Sequence, residues 1–132
     1  MSDKPTPKKS AGSAKYSLLI VEDERPLAHA LELKFAHEGF LPHIATDGSE
    51  ALEMAKKEKF DVILLDLIMP GMDGFAFLEA IQAGKVKAPV IVLTNLGQEE
   101  DQTRAKKLGA KGYYVKSNTP ISAIVKHVKA VL

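Results

Sequence analysis

The chain has 132 residues, 45% hydrophobic and 27% charged, with a formal net charge of +1 and no cysteine. That length fits one domain, and the composition excludes a disordered chain. The lack of cysteine excludes disulfides and thiolate metal sites.

Charge is unevenly spread. Residues 1–15, "MSDKPTPKKSAGSAK", hold Lys4, Lys8, Lys9 and Lys15 against Asp3 alone. Poor in large apolar residues, they read as a flexible basic tail, leaving residues 16–132 as one folded domain. That domain carries 14 basic and 16 acidic residues, so it has no broad electrostatic case for binding nucleic acid. No apolar run approaches a membrane span, and no signal-peptide core is visible. A soluble, cytoplasmic protein is expected.

From Tyr16 on, strand and helix signals alternate. "YSLLIV" reads as a short buried strand. Pro26 suits the first turn of a helix that presents Leu27, Leu31 and Phe35 on one face and stops at Gly39. "FLPHIA" is a second strand, and its Pro42 predicts an edge position because proline donates nothing to a ladder. "TDGSEALEMAKKEK" opens as a turn and continues as a helix. "FDVILLD" is an unbroken apolar run, the mark of a strand covered on both faces. "PGMDG" is a loop in which Asp73 and Gly74 shape the turn, and "FAFLEAIQA" is a helix ending at Gly84.

"PVIVLT" is a fourth buried strand. "QEEDQTRAKKL" is a helix with acids first and bases last, matching the macrodipole. "GYYVK" is a fifth strand. The final helix starts with Thr119 as N-cap and Pro120 at the first helical position, and is expected to bury Ile121, Ile124, Val125, Val128 and Leu132. Five strands alternating with five helices predict an α/β fold, a parallel sheet with helices on both faces. Ligands of such sheets lie at the carboxyl ends of the strands.

Those ends carry chemistry. The first strand delivers Glu22 and Asp23, the third Asp66, the fourth Thr94 and the fifth Lys116. Three converging carboxylates repel one another unless a cation intervenes, and oxygen-only donors select a hard ion, with Mg²⁺ the one expected. A lysine and a hydroxyl opposite them suit a phosphoryl group. Asp66 then reads as a nucleophile that becomes an acyl phosphate.

"LLIVEDE", "DVILLDLIMPGMDG", "PVIVLT" and "GYYVK", in this order and spacing, resemble the receiver domain of two-component response regulators, of the CheY-like single-domain kind. The resemblance covers about residue 16 to the end. It implies a flavodoxin-like five-stranded sheet of order 2-1-3-4-5. It also implies that Asp66 is the phosphoacceptor and Asp23 a direct Mg²⁺ ligand. Glu22 would act on the metal through water, and the Ile68 carbonyl would complete the protein's ligands. Thr94 resembles the switch hydroxyl, Lys116 the phosphate-pairing lysine, and Tyr113 the aromatic that changes rotamer. The implied donor is a sensor histidine kinase or phosphotransfer protein. The implied output is a downstream protein, or a second copy forming a homodimer, on the face of helix 4, strand 5 and helix 5. A signalling role rather than an enzymatic one follows.

Two departures stand out. Ser117 follows Lys116 where the family usually has proline, so a trans or rearranged loop is expected. Asn95 follows Thr94 where a very small residue is usual, narrowing access to the phosphoryl group. Ile68 and Leu96 are expected to flank the approach of hydrolytic water. Glu24 reads as a solvated helix-start residue. Tyr114, the four histidines and Met54, Met69 and Met72 read as packing or solvated groups.

Three other functions share parts of this pattern. A haloacid-dehalogenase-type phosphatase needs a second aspartate two residues after Asp66, where Ile68 stands. A nucleotide- or flavin-binding domain needs phosphate-cradling glycines after the first strand, where "EDERP" stands. The remaining alternative is a pseudo-receiver that works by interaction without phosphorylation.

Overall fold

The computed structural model describes residues 15–132. The expected basic tail therefore lies, but for Lys15, outside the described residues. The elements run β1 (Tyr16–Val21), α1 (Arg25–His37), β2 (Phe40–Ala45), α2 (Gly48–Lys57), β3 (Val62–Leu65) and α3 (Gly74–Ala83). They continue with β4 (Val90–Thr94), α4 (Glu99–Lys107), β5 (Gly112–Val115) and α5 (Ile121–Lys129). The sheet is wholly parallel in the order β2-β1-β3-β4-β5, as expected. Pro42 sits on the edge strand β2, where its missing N–H costs no ladder bond.

Two buried clusters cover the two faces. Leu31 and Phe35 of α1 join Ile124, Val125 and Val128 of α5 against one face. Ala51 and Ala55 of α2, Phe77 and Leu78 of α3, and Ala105 of α4 cover the other. Strands β1, β3 and β4 feed both clusters, which is why they read as continuous apolar runs.

Local chemistry sets the helix starts. Asp47 caps α2 by accepting from Glu50 N at 2.8 Å, and Glu50 Oε1 accepts from Thr46 N at 2.9 Å. Asp73 caps α3 by accepting from Ala76 N at 2.9 Å. Gly74 follows because α3 begins hard against the loop after β3: a Cβ there would lie 2.5 Å from Leu67 Cα. Gly39 takes φ 93° just past α1, a conformation open to glycine.

Four expectations need correcting. β5 ends at Val115, and Lys116 instead opens a 3-10 turn, Lys116–Asn118. Thr119 is not the N-cap of α5, because its hydroxyl donates back to Val115 O at 2.8 Å. Pro120 takes the cap position, where its missing N–H matters little. Leu132 is 43% exposed rather than buried, because α5 stops at Lys129. By contrast, α3 ends at Ala83 with Gly84 as its C-cap, as expected. No cis peptide occurs among the described residues, so the Lys116–Ser117 bond is trans.

Candidate functional site

Strand register assembles the site. Val21 pairs with Leu65 across β1 and β3, so the next residues, Glu22 and Asp66, leave the sheet side by side. Asp66 N still donates to Val21 O at 3.0 Å. Thr94 pairs with Val115 across β4 and β5, and Lys116 comes next. The sheet order changes direction between β1 and β3, which opens a crevice at their carboxyl ends.

Ligand oxygens of Glu22, Asp23 and Asp66 lie within 4.8 Å of one another, the one such trio among the described residues. Glu22 and Asp66 are buried and Asp23 is half-buried. Ile68 N donates to Asp66 Oδ1 at 3.1 Å, which orients the carboxylate. The other oxygen, Oδ2, receives Lys116 Nζ at 2.9 Å. Lys116 Nζ also meets Glu22 Oε1 at 2.9 Å and Glu24 Oε2 at 3.0 Å. A groove of about 440 Å³ adjoins the trio, lined by Asp23, Arg25, Thr46, Asp47, Ser49, Pro70 and Gly71.

Burial disfavours the charge on Lys116. Hydrogen bonds to Asp66, Glu22 and Glu24 outweigh it and hold the ammonium well above the usual lysine range. Glu22 shows the other side of that pairing. Burial raises its pKa more than Lys116 and the Glu24 N–H lower it, so its charge is under-compensated. A buried, under-compensated carboxylate beside two others, all with oxygen donors, fits a hard divalent cation.

Thr94 is fully buried, and its Oγ1 accepts from Leu96 N at 3.4 Å. Tyr113 OH donates to Leu96 O at 2.6 Å. Burial, then the charges of Asp101 and Asp66, push the Tyr113 phenol up to about 12. Leu96 thus joins Thr94 to Tyr113.

Glu22, Asp23, Asp66 and Lys116 come together here, Thr94 ends the neighbouring strand β4, and one more residue joins them. Glu24, expected to be merely solvated, reaches Lys116. Its signal was three acids in succession after an apolar strand, the last at an N-cap position that glutamate rarely favours. Asn95 is exposed; of the two apolar residues expected to flank the water's approach, Leu96 packs against the core cluster and Ile68 stands free at 51% exposure. Tyr114 stacks on His127 at 3.9 Å and packs against the core cluster beside α5, as a packing residue should.

A parallel 2-1-3-4-5 sheet with an acidic trio and a lysine at its carboxyl rim defines the receiver class of signalling domain. Residues 18–129 match the family model of the response regulator receiver domain, and the chain belongs to that family. It is 39% identical over 99 residues to the transcriptional activator protein PfeR of Pseudomonas aeruginosa, covering 75% of this chain and 32% of that one. It is 33% identical over 99 residues to the cell cycle response regulator CtrA of Brucella ovis, covering 75% and 43%. The chain thus spans about a third to under a half of these two relatives. Among solved structures, Vibrio cholerae chemotaxis protein CheY4 superposes with TM-score 0.83 at 31% identity, covering 90% of this chain and 100% of that one. The Francisella response regulator 1452 receiver domain superposes with TM-score 0.84 at 28% identity, covering 89% and 96%. No helix among the described residues is long and apolar enough to cross a membrane.

Proposed function

We propose that this receiver takes a phosphoryl group from a phosphohistidine on Asp66 and so switches a protein-binding face. The observation that carries the reading is Asp66 itself: a buried carboxylate on a backbone N–H at 3.1 Å and on Lys116 at 2.9 Å, beside Glu22 and Asp23. A carboxylate oxygen of Asp66 attacks phosphorus; the O–P bond forms as the N–P bond to the donor imidazole breaks. Asp23 and Asp66, with the Ile68 carbonyl and Glu22 through water, would hold Mg²⁺, which supplies positive charge for the phosphoryl oxygens. Lys116 adds a second positive charge, and Thr94 a hydroxyl donor.

When Thr94 turns toward a phosphoryl oxygen it drops its contact with Leu96 N. Leu96 O also holds Tyr113, so the phenol is released toward another rotamer. The face of α4, β5 and α5 is then remodelled to receive a downstream protein or a second copy of the chain. The donor is a sensor histidine kinase or a phosphotransfer protein.

Acetyl phosphate with Mg²⁺ tests the chemistry. The parent should become labelled on Asp66, and Asp66→Asn should lose the label while keeping its fold. Labelling of that variant at another residue would overturn the assignment. An unlabelled parent would leave an interaction module that works without phosphorylation.

A further inference from the structure

An ammonium has three N–H donors. Lys116 has all three engaged, by Glu22, Glu24 and Asp66. Phosphorylation frees the donor that Asp66 Oδ2 now holds, but the ammonium must also shift to follow the added oxygens, and its contacts with Glu22 and Glu24 oppose that shift; this rests on the reading of Asp66 and Lys116 given above. Glu22, whose side chain is 3% exposed, has the proposed cation as a second partner once Lys116 shifts away, so it is not stranded in the interior. Glu24 is 55% exposed, and its carboxylate returns to water at small cost.

Glu24 is also committed to this contact. It occupies the N-cap of α1, yet its side chain caps nothing. Its backbone N–H is held by Glu22 Oε2 at 3.0 Å, which anchors the residue next to the site. We infer that Glu24 is a positioning residue that latches Lys116 in the resting receiver and competes with the phosphoryl group for it. It sets how readily the site is occupied, without touching the reacting atoms.

Three proteins decide the matter: the parent, Glu24→Gln and Glu24→Asp. Aspartate keeps the charge and is a favoured N-cap, but it is one methylene too short to hold the lysine. The probe is beryllofluoride with saturating Mg²⁺, a tetrahedral stand-in for the phosphoryl group, with Kd read by NMR titration. Both variants should bind about two- to five-fold tighter than the parent, the range an exposed ion pair supports. If Glu24→Asp matches the parent while Glu24→Gln tightens, charge alone acts and the latch is overturned. It is equally overturned if both variants match the parent. A parent that does not bind the probe overturns the phosphoacceptor reading, and the latch with it.

A second readout needs neither Mg²⁺ nor the probe. With ¹⁵N-labelled lysine, the Lys116 ammonium, held on three sides, should give a slowly exchanging signal in the parent that broadens or vanishes in both variants. An unchanged signal in either variant would overturn the latch.

Discussion

Lys85 has φ 60°, the one positive value for a non-glycine among the described residues. It follows the Gly84 cap of α3, and the chain then turns so that Val86 N donates to Ile81 O at 2.9 Å, a Schellman-type ending. A side chain there costs about 1–2 kcal/mol, and glycine's extra entropy returns part of that. Lys85→Gly should therefore raise unfolding stability by about 0.5–1 kcal/mol, checked by urea titration.

Glu22 makes a pH prediction. Its folded pKa is raised above 4.5, by burial first, so the folded state holds its proton more tightly than the unfolded chain does. In metal-free buffer this contribution is fully present below pH 4.5 and is lost as pH rises through the folded value. Glu22→Gln should remove that fall from the pH–stability curve; an identical curve would contradict it. A third expectation concerns the lifetime of the acyl phosphate proposed for Asp66. Ile68 is exposed beside Asp66 whereas Leu96 packs inward, so shielding from water falls mainly to Ile68. Phosphoryl decay should quicken more in Ile68→Asn than in Leu96→Glu, and the reverse order would refute this.

At the scale of elements, α4 is the helix with the fewest buried residues. Ala105 is its one buried residue, and Arg104 lies 4.1 Å above the Phe75 ring of α3. Little apolar burial means low local stability. Hydrogen exchange should be fast in α4, should quicken further in Arg104→Ala, and should change across residues 95 to 116 on adding a phosphoryl mimic. Unchanged exchange there would exclude this route of switching.

Tyr113 ties β5 to the loop before α4. Tyr113→Phe forfeits its bond to Leu96 O, worth about 0.5–1.5 kcal/mol. The phenol is raised from 10.0 to about 12, so its contribution is intact below pH 10.0 and disappears as pH rises through about 12. The variant should lack this part of the alkaline loss of stability.

Across the whole molecule, a cation held by the acidic trio would couple to folding. Ions that bind the folded state alone add stability by mass action, about 2.7 kcal/mol at a hundred times Kd. Mg²⁺ should raise Tm, and Asp23→Asn should raise Tm without Mg²⁺ while losing most of the response. An intact response in that variant would remove Asp23 from the ligand set. Neutralising all three carboxylates together is a different case. Lys116 would lose two of its three partners, so relief of repulsion is offset by a stranded ammonium.

The sequence alone determined the alternation of elements, the edge position of β2 and the residues at the carboxyl rim. Each follows from local signals: apolar runs, Pro42, and the charges that end the strands. Tertiary structure decided the rest. Lys116 leaves β5 because its ammonium must reach carboxylates carried by β1 and β3. Thr119 abandons its cap because the 3-10 turn brings the Val115 carbonyl within reach. Glu24 is read as solvated from its neighbours, yet its partner lies 92 residues away. Only the folded register brings that partner to 3.0 Å, and side-chain pairing across such separations leaves no period or local composition by which the sequence could show it.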